Sequence, residues 1–164
     1  MPVVICNTSA LQYLHQIDLL DLLPALFGQV QIPRAVAAEM DEGKRRNVSL
    51  PTLEALSWLT IRPIRDRTLL PLITSLGDGE KEVLALGLEA TDALLVLDDR
   101  NARRYATAAE LEVTGTLGIL ILAKDRGLLG SIRPALERLQ ALRFRLSAAT
   151  LQRVLDLAGE GKET

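Results

Sequence analysis

Short apolar runs alternate with amphipathic stretches along most of this chain, and that alternation organises everything else. Residues 2–6 form a β-branched run followed by Asn7-Thr8-Ser9, the pattern of a buried strand with a turn at its carboxyl end. Thr8 or Ser9 supplies an N-cap for a helix over 11–15. Leu19, Leu20, Leu22 and Leu23 predict a second short helix, ended by Pro24 or Gly28, and residues 29–32 a short strand. Pro33 suits the first turn of a helix running to about Asp41. The polar segment 41–47 then reads as a mobile loop.

Farther along, 50–56 and 69–76 are expected to be helical and 58–63 a strand. Gly77-Asp78-Gly79 breaks the pattern, and Glu80 opens a helix whose Val83, Leu84, Leu86, Gly87 and Leu88 suit packing on a sheet. Residues 94–97 are the clearest buried strand, followed by a helix at 100–111 and a last strand at 112–114. Helices at 117–126, capped by Thr116, at 132–142 and at 148–158, capped by Ser147, complete the pattern. Alternating strands and helices predict an α/β fold with a mostly parallel sheet covered on both faces. One domain over 1–158 is expected, with a frayed tail at 159–164.

Composition narrows the class of protein. Apolar residues make up 48% of the 164 positions but aromatics only 3%, so Leu, Ile, Val and Ala must build the core. The lone Cys6 excludes an internal disulfide, suits a reducing compartment and reads as a small buried hydrophobe. No apolar run approaches the ~20 residues that span a bilayer, and no targeting segment is visible, so a cytoplasmic location without membrane attachment is expected. A net charge of −2 gives no bulk attraction for nucleic acid. Local basic clusters, such as Arg100 with Arg103 and Arg104, read as solvated helix faces or as phosphate contacts.

The candidate chemistry lies in oxygen donors. Asn7 follows the first strand, Glu39 lies on a helix, Glu80 follows Gly77-Asp78-Gly79, and Asp98-Asp99 follow a second strand. Each has an ordinary role open to it. Asn7 can cap a turn, Glu39 can be solvated, Glu80 suits a helix N-terminus, and Asp98 or Asp99 can cap the helix after them. Jointly, they place oxygen ligands beyond strand ends, where open α/β sheets bind ligands. Clustered carboxylates need a cation to stay ionised, and donors of this type suit Mg²⁺ or Mn²⁺. Metal-dependent phosphodiester hydrolysis is the reaction such an inventory supports. His15 has no partner spaced for zinc, and no phosphate-binding glycine loop is present. Thr114-Gly115-Thr116 can present hydroxyls and N–H groups to a phosphate or simply turn strand into helix.

Five stretches carry a family resemblance: residues 4–11, 32–39, 76–83, 95–99 and 113–118. With them the chain resembles the PIN-domain family, within a branch akin to VapC-type toxins. The resemblance implies a three-layer α/β/α domain with a central, mostly parallel sheet. It also implies an endoribonuclease site using Mg²⁺ or Mn²⁺. By position it assigns Asn7, Glu39, Glu80, Asp98 and Asp99 as catalytic and metal-binding, with Asp99 favoured over Asp98 as the fourth ligand. Thr8, Ser9, Thr114, Thr116 and Arg100 become candidates for contact with an RNA substrate. A homodimer and a small cognate antitoxin are the implied partners. Asn7 departs from the family's first Asp, and an amide binds Mg²⁺ without charge. A nuclease weakened at this position is the leading reading; a catalytically silent module that binds protein or RNA, and a protein-interaction subunit whose helices at 132–142 and 148–158 seat a partner helix, are the alternatives.

Overall fold

The computed structural model describes residues 2–72 and 74–161. The chain divides into two compact units, Met1–Thr116 and Leu117–Thr164. In the first, strands β1 (Val3–Cys6), β2 (Val30–Pro33), β3 (Leu59–Arg62), β4 (Ala93–Val96) and β5 (Glu112–Thr114) form one sheet. Every pairing is parallel and the order is β3-β2-β1-β4-β5. Helices α1 (Thr8–Gln16), α2 (Leu22–Phe27), α3 (Arg34–Arg45), α4 (Asp78–Glu89) and α5 (Arg100–Ala108) alternate with the strands. This is the α/β/α architecture expected from the alternating pattern.

The central strands explain why their sequences lack polar alternation. Val4, Ile5 and Cys6 on β1 and Leu95 and Val96 on β4 are all 2% exposed or less, because helices cover both faces of a parallel sheet. Each large side chain enclosed in this way contributes roughly 1.5–3 kcal/mol. At the sheet edge, β3 exposes Thr60, Ile61 and Arg62. Helix α4 packs against β1, β2 and β4 and also touches α3 and α5. Gly87 admits that contact, since a Cβ there would lie 2.9 Å from Leu95 Cδ2.

Several expected boundaries move, each for a local reason. Pro24 does not end the second helix; it sits in the first turn of α2, where no intrahelical N–H bond is lost, and Gly28 at φ +75° ends it. Helix α3 overruns the expected loop at 41–47 and stops only at Arg45. Lys44 and Arg45 suit its C-terminus, Glu42 pairs with Arg46, and Gly43 leaves room for Leu50. The helices expected at 50–56 and 69–76 reduce to 3₁₀ turns at Leu53–Ala55 and Arg67–Leu69, and Leu70, the residue before Pro71, is extended at ψ 128°. Ile73, within the second of these, lies outside the described residues. Helix α5 ends at Ala108 rather than at 111, with Glu110 at φ +60°.

The second unit holds most of α6 (Thr116–Asp125) together with α7 (Arg133–Ala141) and α8 (Ala148–Leu157). Ser147 caps α8 as expected, its Oγ accepting from Thr150 N–H at 3.1 Å. Within the tail expected to fray from 159, Glu160 is bonded to three upstream residues. Its carboxylate accepts from Lys124 Nζ and Ile132 N–H at 2.9 Å each and from the Ser131 hydroxyl. Burial pushes this carboxyl up, but the bonds from Ser131, Ile132 and Lys124 outweigh it and bring the pKa down to about 2. Among the described residues no helix is long and apolar enough to cross a membrane.

Candidate active site

The sheet order sets the location of the site. From β1 the chain moves outward through β2 and β3, then returns to lay β4 and β5 on the other side of β1. The carboxyl ends of β1 and β4 therefore flank a topological switch point, where parallel sheets open a crevice. Their register pairs Cys6 with Val96, which puts Asn7 beside the start of Leu97-Asp98-Asp99. Asn7 N–H donates to Val96 O at 3.1 Å, and Leu97 N–H donates to Thr114 O at 2.8 Å.

Each donor is held by named partners. Asn7 is only 2% exposed, and its Oδ1 accepts from Ala10 N–H at 3.1 Å, so it is the N-cap of α1. Thr8 and Ser9, expected to cap that helix, lie inside it. The Thr8 hydroxyl instead donates to Glu39 Oε2. Glu39 Oε1 accepts from Gly79 N–H at 3.0 Å. That N–H belongs to the first turn of α4, where helix donors have no internal partner. Gly79 is thus part of the helix and not a break before it. A Cβ at Gly79 would fall 2.7 Å from both Glu39 oxygens, so only glycine allows this approach without a shift. Beside Glu39 opens a cavity of about 490 Å³, lined also by Ala35, Ala38, Glu42, Gly43, Arg46 and Asp78.

On the other flank, Asp98 Oδ1 accepts from Thr116 N–H and Oδ2 from the Thr116 hydroxyl, both at 2.7 Å. Burial pushes the Asp98 carboxyl up, opposed by Thr116 and by the Arg103 charge. Burial, then the Asp98 charge, also raises the Cys6 thiol far above its usual range. Asp99 Oδ2 accepts from Ala102 N–H at 2.9 Å and caps α5. Glu80 is raised first by burial, against its own backbone N–H, and then by the charges of Glu39 and Asp99. Three carboxylates thus share one electrostatic neighbourhood, and Glu80 feels both of the others.

A family model described as a PIN domain matches residues 3–160 of the chain. The chain belongs to the PIN-domain family. No curated protein and no solved structure matches it. PIN domains share the three-layer α/β/α fold and are in general nucleases that act on RNA or other nucleic acid with divalent metal ions.

In this PIN domain the donor chemistry fits such an ion, since every candidate offers oxygen. The upward push on Glu80 from Glu39 and Asp99 is the like-charge cost that a cation would offset. The gathering is incomplete: among the described residues no three His, Cys, Asp or Glu form a group that could hold a metal. Glu39, Glu80 and Asp99 would be the residues to hold one, with Asn7 at its buried edge. Of the expected substrate contacts, Thr8 and Thr116 are engaged with Glu39 and Asp98, while Arg100 is exposed at the start of α5. Gly79 and Gly115 were not legible as parts of the site. A Cβ at Gly115 would lie 2.7 Å from Asp98 Oδ1. The only sequence signal for either was a glycine directly beside a candidate acid or hydroxyl.

Proposed function

We propose that this PIN domain is a Mg²⁺- or Mn²⁺-dependent endoribonuclease, cytoplasmic, and the toxin of a toxin–antitoxin pair. The observation that carries the reading is the electrostatic coupling of Glu80 to Glu39 and Asp99 beyond the strand ends. Glu39, Glu80 and Asp99 would hold the metal. Asp98, with both oxygens taken by Thr116, acts as a positioning residue for the β5–α6 turn. Asn7 orients the crevice through its cap, and its amide leaves the site one charge short of an all-acidic set. Bound metal supplies Lewis-acid stabilisation of the phosphodiester and a water of lowered pKa. The Thr8 hydroxyl and Gly79 N–H together fix the Glu39 carboxylate. The family's small cognate antitoxin and a homodimer are the partners that accompany this reading.

The second reading is a PIN module that binds RNA or protein without cutting. It is favoured by Asn7, whose oxygen already serves Ala10, and by the incomplete metal group. Incubating the protein with a pool of structured RNAs in Mn²⁺ or EDTA separates the two. Mn²⁺-dependent cleavage lost in Glu80→Gln supports the enzyme. An Asn7→Asp variant restores the missing charge without loss of the cap acceptor and is expected to bind Mn²⁺ more tightly and to cleave faster. Absence of cleavage in both the native chain and Asn7→Asp would decide for the silent module.

A further inference from the structure

We propose that Arg103 is the phosphate-gripping residue of this site, an inference that rests on the nuclease reading above. A cluster containing Glu39, Glu80, Asp98 and Asp99 repels a polyanion, so a nucleic acid needs a fixed cation to enter it. Arg103 lies one turn beyond Asp99 on α5, and its N–H donates to Asp99 O at 3.0 Å. Residues four apart share a helix face, so Arg103 stands on the stripe of Asp99, whereas Arg100 and Arg104 share a different one. The guanidinium reaches the site itself: a Cβ at Gly115 would lie 3.1 Å from Arg103 Nη1 and 2.7 Å from Asp98 Oδ1. The same glycine therefore brings the acid and the cation together over the β5–α6 turn.

Arg103 also acts on Asp98, whose carboxyl its charge draws down. It is exposed, and among the described residues it forms no ion pair, in contrast to Arg45, Arg46 and Arg133. Asp98 spends both oxygens on Thr116. A planar fork of five donors, exposed beside Asp98, matches two oxygens of one phosphate. Its chemistry selects a phosphodiester backbone over a base edge, so sequence-tolerant contact with single-stranded RNA is the expected mode.

The test uses the full chain and a short labelled single-stranded RNA. Cleavage is followed in Mn²⁺, and binding is followed in EDTA across a salt series. Arg103→Gln is expected to lower kcat/KM by about ten-fold and to reduce the slope of log affinity against log salt by ~0.7, one phosphate's worth. Arg103→Lys is expected to restore the slope but only part of kcat/KM, since the charge returns without the fork. Arg62→Gln, the same charge change on β3, is the control and is expected to leave both unchanged. A native slope and native kcat/KM in Arg103→Gln, while the unaltered protein cleaves, overturns this inference alone. An equal loss in Arg62→Gln also overturns it, by showing bulk attraction in place of a site. If the unaltered protein neither binds nor cleaves RNA, the nuclease reading falls and takes the inference with it.

Discussion

Gly79→Ala separates the demands of helix stability from those of the site. Gly79 does not lie in the left-handed region, so alanine fits its backbone and gains up to ~1 kcal/mol in helix propensity. Sterics oppose this, because the new methyl would sit 2.7 Å from both Glu39 oxygens and the carboxylate must swing away. That movement breaks the 3.0 Å bond from Gly79 N–H. Hydrogen bonds to a charged group contribute about 1.5–3 kcal/mol. Loss should therefore exceed gain, leaving the variant ~1 kcal/mol less stable and its Tm about 2–4 °C lower. Calorimetric titration with Mn²⁺ should show weakened binding in the same variant. The decisive assay is a thermal double-mutant cycle with Glu39→Ala. Once the carboxylate is gone, Gly79→Ala should become stabilising, giving a coupling of about 2 kcal/mol. If Gly79→Ala raises Tm equally in both backgrounds, the close approach of Glu39 to α4 is refuted.

Three further outcomes follow from the same structure. A carboxyl raised on folding costs stability above its folded pKa and nothing below its unfolded one, so Glu80→Gln should raise Tm at pH 7 and leave it unchanged near pH 3, while abolishing cleavage. Glu160 works in the opposite sense: its stabilisation is complete above the ordinary value of 4.5 and is lost as pH falls toward about 2. That shift corresponds to at most ~3 kcal/mol, cut to about 1–2 by solvent at Lys124, so Glu160→Gln should lower Tm at pH 7 and converge with the native chain near pH 2. Removal of the α1 cap by Asn7→Ala should cost ~1 kcal/mol in urea unfolding, most of it recovered by Asn7→Ser.

The strands were legible because burial on both faces writes itself as an unbroken apolar run, as in Val4-Ile5-Cys6 and Leu94-Leu95-Val96. The apolar runs also put Asn7 and Asp98-Asp99 at the carboxyl ends of strands, while the pairing that makes those ends neighbours is a property of the sheet order. The contacts that hold the acids were not legible. Thr8 meets Glu39 across 31 residues and Thr116 meets Asp98 across 18, and no local propensity encodes such pairings. Gly79 misled for a related reason: glycine in a first helical turn looks like a breaker until the carboxylate that needs its missing Cβ is seen. Helix α3 outran its expected end because Leu50, a tertiary neighbour, occupies the space above Gly43. At the chain end, the partners of Glu160 lie between 27 and 36 residues upstream, beyond the reach of any sequence window.

The β4–β5 pairing has a temporal consequence during synthesis. Asp98 reaches its full set of bonds only through Thr116, and Leu97 is pinned by Thr114, so the acid is made before the residues that fix it. A chain still on the ribosome carries Asn7, Glu39 and Glu80 early yet lacks a finished crevice until β5 and the first turn of α6 have emerged. In the order of translation, β5 is the last strand of this sheet to be made, so the bonds that fix Asp98 and Leu97 are among the last of the sheet to form.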